Sequence, residues 1–384
     1  MNAIKIIFYR EIRRIIKDRN LITILLIAPI FYAFFYSSIY INKSEIDVNI
    51  VVVDNDNSYL SNFLIRNLDA HKLIKVKKIS RDFFHAKNDI NKLEEFGILY
   101  IPKNFEATLR NGRGTTVKLF LNSTRFLISN DINKSINEVI NNFNSNIKLK
   151  YFLSQGFNYK QSFGMIEPIH ADIRNLYNIT ESYGDFLIPA VLILILHQTL
   201  LIGLSESFAK EREFSTLRIL QKLSNNSINK IIIGKSLFYL ILYSSYSMFL
   251  FGLVLNLFKI NFSGHIIPFI IITFITILSI IFFSIFISSF FPRKILVIQF
   301  LSLTSYPIFL ISGFSWPQES LPFFLRIFSW LIPFTPYSNA FIKIYHMEAS
   351  FENIYLIIIH LIMISILYYV LSYIRINHLI KKQK

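Results

Sequence analysis

The sequence contains no cysteine, and only 17% of its 384 residues are charged. The absence of cysteine excludes disulfide bonds, thiolate catalysis and a cysteine-ligated zinc site. The low charge accompanies 53% hydrophobic residues, among them 39 Phe and 20 Tyr, and a mean hydropathy of +0.45. A soluble chain of this length does not need so much apolar surface, so the composition predicts an integral membrane protein.

The formal net charge of +16 raises the question of a nucleic-acid partner. The cations are spread over segments that flank long apolar runs, and they form no single basic domain. This distribution is typical of membrane topology signals. We therefore expect no nucleic-acid partner.

Six apolar runs are long enough to cross a hydrocarbon core of about 30 Å at about 1.5 Å per residue. They are predicted at residues 21–41, 186–204, 231–258, 266–291, 295–314 and 354–374. A polar stretch of residues 42–185 separates the first two runs. The predicted fold class is an α-helical integral membrane protein with six transmembrane helices and an inserted extracytoplasmic α/β domain.

The side of the membrane follows from the Lys and Arg content of the short segments. The basic segments are residues 1–20, 205–230, 292–294 and 375–384. The short segments on the opposite side of the membrane hold only three cations, Lys259, Arg326 and Lys343. Because basic short segments stay in the cytoplasm, we expect both termini to be cytoplasmic and residues 42–185 to be outside.

Residues 1–20 have the spacing of an amphipathic helix. Its apolar face comprises Ile4, Ile7, Phe8, Ile12, Ile15 and Ile16, and its basic face comprises Arg10, Arg13, Arg14 and Lys17. Such a helix is expected to lie among the inner headgroups and to bind anionic membrane lipid.

Residues 42–185 alternate between strand and helix patterns, which predicts a small α/β domain. The predicted elements are a strand Val48–Val53, a helix capped by Ser58, a helix Asp82–Glu95, a strand Phe96–Ile101, a strand Thr115–Leu121 and a helix Asn130–Ser154. The stretch from Asp54 to Ser58 has the composition of a calcium loop or of a tight turn. We favour the turn, because an EF-hand loop would need Gly and Glu where Tyr59 and Ile65 stand.

Ser205–Leu223 is a charged island between two apolar runs, so we expect it to lie in water beside the membrane. Its apolar residues form one edge of a short helix, and they are Phe208, Phe214, Leu217, Leu220 and Leu223. Two interpretations remain, a solvated loop or a helix that a partner binds.

Nucleotide and catalytic motifs are missing from the sequence. Gly234-Lys235-Ser236 resembles the end of a P-loop, but Asn229 stands where the first glycine must be. We therefore expect no ATP binding by this chain, and no enzyme activity, bound cofactor or metal site.

Three polar side chains within the apolar runs are His197, Gln198 and Gln299. Contact with lipid is costly for such groups, so we expect them to face the bundle interior. They either line a translocation path between two protomers or join helices by hydrogen bonds.

KEREFSTLRIL followed by INKIIIGKSLFY resembles the cytoplasmic coupling segment of the type-2 ATP-binding-cassette (ABC) exporter permeases. The residues that match are Glu211, Arg212, Glu213, Thr216, Leu217, Leu220, Gly234 and Lys235. Ser215 stands where the family usually has Gly. The outer region 315–350 and the three residues before it also resemble the family. We expect the region to form half-inserted helices. The motif residues are Ser312, Gly313, Phe314, Pro317, Pro322, Pro333 and Pro336.

The resemblance implies a permease subunit of an ABC exporter in the bacterial cytoplasmic (inner) membrane. It implies a second permease copy or paralogue and a cytoplasmic ATPase subunit that holds ATP and Mg, and it allows a periplasmic adaptor. The expected coupling residues are Glu211, Arg212, Glu213, Phe214, Thr216, Leu217 and Leu220. The alternative hypothesis is a membrane-anchored sensor or scaffold whose outer domain binds a ligand.

Overall fold

A computed structural model describes residues 3–40, 46–169, 174–178, 182–260, 262 and 264–382. The predicted boundaries at residues 41 and 42, and the last two residues of the predicted tail, lie outside the described residues. The chain forms two compact units, Met1–Lys43 with Asn175–Lys384, and Ser44–Arg174.

The elements are named here in chain order. The helices are α1 Ala3–Lys17, α2 Arg19–Ile39, α3 Tyr59–Asp69, α4 Phe83–Asn91, α5 Phe105–Arg110, α6 Phe126–Ser154, α7 Tyr159–Ile166, α8 Tyr183–Glu213, α9 Leu217–Leu223, α10 Ile228–Leu257, α11 Ile266–Ser288, α12 Lys294–Ile311, α13 Phe323–Trp330, α14 Phe334–Tyr345 and α15 Tyr355–Lys382. The strands are β1 Val48–Asp54, β2 Ile74–Ser80, β3 Gly97–Ile101 and β4 Lys118–Leu121.

Six helices, α2, α8, α10, α11, α12 and α15, are long and apolar enough to cross a membrane. A helix satisfies its backbone hydrogen bonds internally, which is what a segment in hydrocarbon requires. These helices confirm the predicted class of a six-span helical protein. The most apolar window of α8 is 72% buried and that of α12 is 17% buried, so α8 is central and α12 peripheral.

Two glycines allow close helix contacts in the helical unit. A Cβ atom at Gly203 of α8 would lie 2.3 Å from Leu25 Cδ2, and one at Gly234 of α10 would lie 2.8 Å from Ile7 Cβ. These contacts bring α2 against α8 and α1 against α10.

The unit Ser44–Arg174 contains a four-stranded sheet in the order β2-β1-β3-β4. β1 is parallel to β2 and β3, and β4 is antiparallel to β3. β1 is buried on both faces, with Ile50 and Val52 in one apolar cluster and Val51 and Val53 in the other. The predicted α/β fold of the insertion is confirmed.

The turn after β1 uses the Asp54 carboxylate for backbone contacts. Asp54 Oδ1 accepts the N–H groups of Asp56 and Asn57 at 2.9 and 3.0 Å, and Oδ2 accepts the Ser61 hydroxyl at 2.7 Å. Ser58 caps α3 through a reciprocal capping box with Ser61. This is the geometry of the tight turn that the sequence favours.

Candidate functional site

The second long helix does not end where its apolar run ends. α8 continues to Glu213, and residues 205–211 are buried in the helical unit. The expectation of a water-exposed island from Ser205 onward is therefore wrong for this first part. The physical reason is that the charged side chains of 205–211 find charged partners inside the chain.

We call this set of buried and partly buried charges the charged junction. Its cations are Arg10, Arg14, Lys210 and Lys235, and its carboxylates are Glu11, Asp18, Glu206 and Glu211. The residues come from α1 and the residue after it, from the end of α8, and from the start of α10. Glu11, Glu206, Lys210, Glu211 and Lys235 are buried, whereas Arg10, Arg14 and Asp18 are partly exposed. Buried charges require partners of opposite sign, and the set is matched one for one.

Glu11 and Lys235 form the centre of the charged junction. Both are fully buried, and the Lys235 Nζ atom donates to Glu11 Oε2 at 2.5 Å. Tyr239 OH donates to Glu11 Oε1 at 2.9 Å, and the Ser207 hydroxyl donates to the same oxygen. Lys235 Nζ also lies 3.0 Å from Ser207 Oγ and 3.4 Å from Glu211 Oε1.

Glu211 connects α8 to the N-terminal helix. The two terminal nitrogens of Arg10 donate to its two oxygens at 2.6 and 2.9 Å, which is the bidentate geometry of strong Arg–carboxylate pairs. Arg14 also binds Glu211 Oε1, and the Thr216 hydroxyl donates to Oε2. The Glu211 side chain is therefore enclosed by this chain, unlike the surface carboxylate that a docking role requires.

Two carboxyl groups of the charged junction, those of Glu11 and Asp18, have lowered pKa values. Burial by itself raises the pKa of the Glu11 carboxyl, but the charge of Lys235 and the hydrogen bonds from Lys235, Ser207 and Tyr239 hold that pKa below its ordinary value. Burial also opposes ionisation of Asp18, and the hydrogen bond and charge of Lys210 lower its pKa overall. Both lowered pKa values favour the ionised form of the carboxyl group that pairs with a lysine.

The sequence carried a signal for the junction that pattern reasoning missed. The buried residues of α1 are Ala3, Ile7, Glu11 and Ile15, a stripe with one residue every four positions. Glu11 is the carboxylate in that apolar stripe, and Lys235 is a lysine inside a long apolar helix. A charge at an inward-facing position implies a buried partner of opposite sign.

The short helix α9 follows the junction after a tight turn. Ser215 in this turn has φ of +54°, a backbone conformation that favours glycine. Leu217 and Leu220 are fully buried in the core of the helical unit, whereas Phe214 is 62% exposed. Of the apolar edge expected for a partner, Phe208 is also buried and Leu223 is partly buried, so Phe214 is the member that stays accessible.

Arg212 and Glu213 fasten the end of α8 to the turn between α11 and α12. Arg212 Nη1 donates to the Ser289 carbonyl oxygen at 2.9 Å. Glu213 Oε2 accepts the Lys294 backbone N–H at 2.9 Å. Both contacts are within the chain, and they join the end of α8 to the α11–α12 hairpin.

The polar residues of the spans have different environments. His197 is buried against the Phe334 ring, with centroids 4.9 Å apart, and its ring nitrogens have no hydrogen-bond partner among the described residues. Gln198 Oε1 accepts the Ser305 hydroxyl of α12 at 2.8 Å. Gln299 lies exposed on α12 in the single chain.

The carbonyl oxygen of Ser312, the first residue of the outer motif, is contacted by three side chains from outside the motif. This oxygen lies 3.0 Å from Ser338 Oγ, 3.2 Å from Asn339 Nδ2 and 3.4 Å from Gln318 Nε2. Gly313 has φ of +89°, which permits the sharp turn after α12.

The other members of this motif stack or start helices. The Phe314 ring stacks on Phe186, with centroids 4.9 Å apart. Pro317, Pro322 and Pro333 precede short helices, and Pro336 lies in the first turn of α14, where proline is tolerated. The sequence indicated the prolines as residues of the outer motif, but it did not indicate Gln318, Ser338 or Asn339.

These features define a multi-pass membrane protein with six candidate spans, an inserted α/β unit and a charged junction at the end of its central helix. The family described as ABC-2 family transporter protein matches residues 19–374. The chain belongs to this family.

Two curated relatives are similar to part of the chain. They are the probable multidrug ABC transporter permease YbhR of Escherichia coli strain K12 and the protein of the same description from Escherichia coli O157:H7. Each is 27% identical over 202 residues, 52% of this chain and 55% of the relative. The match thus spans about half the length of these curated relatives.

Proposed function

We propose that this chain is the permease subunit of an ABC exporter and that a separate cytoplasmic ATPase drives it. The observation that carries the proposal is the charged junction, which ties α1, the end of α8 and the start of α10 into one body beside α9. A force applied to α9 would then reach central helix α8. Family membership and the description of the E. coli relatives as multidrug permeases support this role.

The surface that meets the ATPase is the exposed side of α9 and its preceding turn. It offers Phe214, Arg218, Ile219 and Lys222, all of which are exposed. Glu211, Thr216, Leu217 and Leu220 act indirectly in this proposal, because they hold α9 in place. Exposed aromatic and basic side chains are suited to an interface with an acidic rim.

The test is copurification of the ATPase with a Phe214→Ser/Ile219→Ser variant. We expect the variant to insert in the membrane and to lose most of the ATPase. The matched control is Phe84→Ser, which removes a comparably exposed phenylalanine from the α/β unit. If the α9 variant retained all of the ATPase, the docking proposal would be contradicted. If no ATPase copurified with the wild type, the sensor hypothesis would be favoured.

We further propose that α12 lies against a second permease copy and that His197, Gln198 and Gln299 lie near the path between copies. α12 is the least buried of the six long helices, and it exposes Gln299, Ser302 and Tyr306. Lipid is a poor neighbour for such a polar stripe, and a second copy or a water-filled path would cover it.

The chain's lack of cysteine makes this arrangement testable by cross-linking. We expect Gln299→Cys to form an intermolecular disulfide in membranes and Ile366→Cys, exposed on α15, to form none. Equal cross-linking at both positions would rule out a specific α12 interface.

The proposed location is the bacterial cytoplasmic membrane, with both termini and α9 in the cytoplasm and the α/β unit outside. The distribution of Lys and Arg supports this orientation. A periplasmic adaptor would then meet the α/β unit.

A further inference from the structure

A cleft of about 420 Å³ lies where the end of α8, the α11–α12 turn and the last turns of α15 meet. Its lining residues are Arg212, Glu213, Pro292, Arg293, Leu379 and Lys382. Each of the three elements contributes one cation. Neither the proposed function nor the family assignment gives this cleft a role.

The charges of the cleft are only partly used within the chain. Arg212 donates to the Ser289 carbonyl oxygen, and the one carboxylate of the lining, Glu213, accepts the Lys294 N–H. Arg293 and Lys382 are exposed and form no ion pair with any residue that the structure describes. The cleft therefore keeps two cations facing its open side, and an anion would complement them.

The position of the cleft relates it to the membrane surface. It lies at the ends of candidate spans α8, α12 and α15. Its walls include Pro292 and Leu379, and the apolar side chains of Phe290, Ile295 and Leu296 are exposed nearby in sequence, on the α11–α12 turn and α12. A free anion would use only the cations, whereas a ligand with both a phosphate and a hydrocarbon chain would use both kinds of surface.

We propose that this cleft binds the headgroup of an anionic phospholipid. Arg293 and Lys382 contact the phosphate, and the positive charge of Arg212 in the cleft wall also attracts it. The acyl chain lies along the exposed apolar side of α12. Basic pockets between membrane helices are known to hold anionic headgroups. The bound lipid would join α8, α12 and α15 at the point where α8 turns toward α9.

The experiment uses the full chain in neutral detergent, with the thermal midpoint measured after addition of phosphatidylglycerol or phosphatidylcholine. We expect phosphatidylglycerol to raise the midpoint by several degrees and phosphatidylcholine to have little effect, because a ligand of the native state stabilises it. Arg293→Gln/Lys382→Gln should lose most of this rise. The control Arg113→Gln/Lys118→Gln removes two exposed cations from the α/β unit and should keep this rise.

Several outcomes would overturn the proposal. An equal rise with phosphatidylcholine would remove the requirement for an anionic headgroup, and an equal rise with inorganic phosphate would reduce the site to a free-anion site. A phosphatidylglycerol effect unchanged in the cleft variant, with reduced ATPase copurification, would assign the cleft to an acidic protein surface. If the cleft variant fails to fold, the test is native mass spectrometry of the lipids bound to the wild type. The proposal then requires that the wild type retain more phosphatidylglycerol than phosphatidylcholine.

Discussion

Glu11 shows how one residue can join two elements that are far apart in sequence. Its position on the apolar stripe of α1 places a carboxylate inside the protein, where it needs a cation within contact distance. Lys235 supplies that cation from α10, and Ser207 and Tyr239 complete the hydrogen bonds. The amphipathic helix is thereby held to the bundle by a polar contact as well as by its isoleucines.

Replacement of Glu11 by Gln should destabilise the protein strongly. The substitution leaves Lys235 buried beside a neutral amide, and breaking a buried ion pair from one side costs about 3–5 kcal/mol. The measurement is the thermal midpoint of the purified chain in detergent. The double variant Glu11→Gln/Lys235→Met should recover part of the loss, and an equal or larger loss in the double variant would contradict this account.

Acid should weaken the same contacts. The pKa of Glu11 lies below its ordinary value of 4.5 in the folded chain, so the carboxylate stabilises the fold fully above that value. This contribution is lost as the pH falls through the lowered folded-state pKa. We expect the thermal midpoint to fall on acidification below about pH 4.5, and to fall less steeply in Glu11→Gln. If the thermal midpoints of the two proteins fell in parallel with pH, Glu11 would be excluded as a cause of the acid destabilisation.

The contact between α1 and α10 depends on a residue without a side chain. Gly234 precedes Lys235, and a Cβ atom there would lie 2.8 Å from Ile7 Cβ and 2.9 Å from Ile7 Cγ2. The Gly-Lys pair that imitates a P-loop in the sequence therefore has a packing role in the structure. The glycine admits α1 to the bundle, and the lysine then meets Glu11.

Gly234→Ala should separate α1 from α10 and lower stability by about 1–3 kcal/mol, the typical range for overpacking. Gly252→Ala, in the same long helix, is the matched control because nothing lies within 4 Å of its Cβ position. We expect the control to retain the wild-type thermal midpoint and the Gly234 variant to melt lower. Protease cleavage near the N-terminus should also become faster in the Gly234 variant alone.

The whole chain is divided between a helical unit and an α/β unit, and the proposed orientation places the latter outside the cell. Lys103 of the α/β unit and Arg218 of α9 are both exposed positions. Because the chain has no cysteine, each can carry a single label without background from the protein itself.

We expect Lys103→Cys to react with an impermeant maleimide in intact cells and Arg218→Cys to react only after permeabilisation. The difference follows from the concentration of Lys and Arg in the segments around α9. Labelling in the reverse order would invert the topology and remove the proposed docking surface from the cytoplasm.

The sequence determined the fold class, because long apolar runs and alternating strand and helix patterns are local properties of the chain. It also indicated the Ser58 cap and the helix-starting prolines, which depend on neighbouring residues. β2 was not predicted because its sequence, IKVKKIS, has three lysines, all exposed, and only one buried residue, Ile74.

Only the tertiary structure decided which charges face inward. Glu11, Glu211 and Lys235 lie on three different helices, and the pairing of Glu11 with Lys235 depends on the close approach of α1 and α10 at Gly234. The same packing buried Leu217 and Leu220, left Phe214 exposed and turned Gln299 outward. Side-chain partnership across a bundle depends on how helices pack, and a one-dimensional pattern does not contain that information.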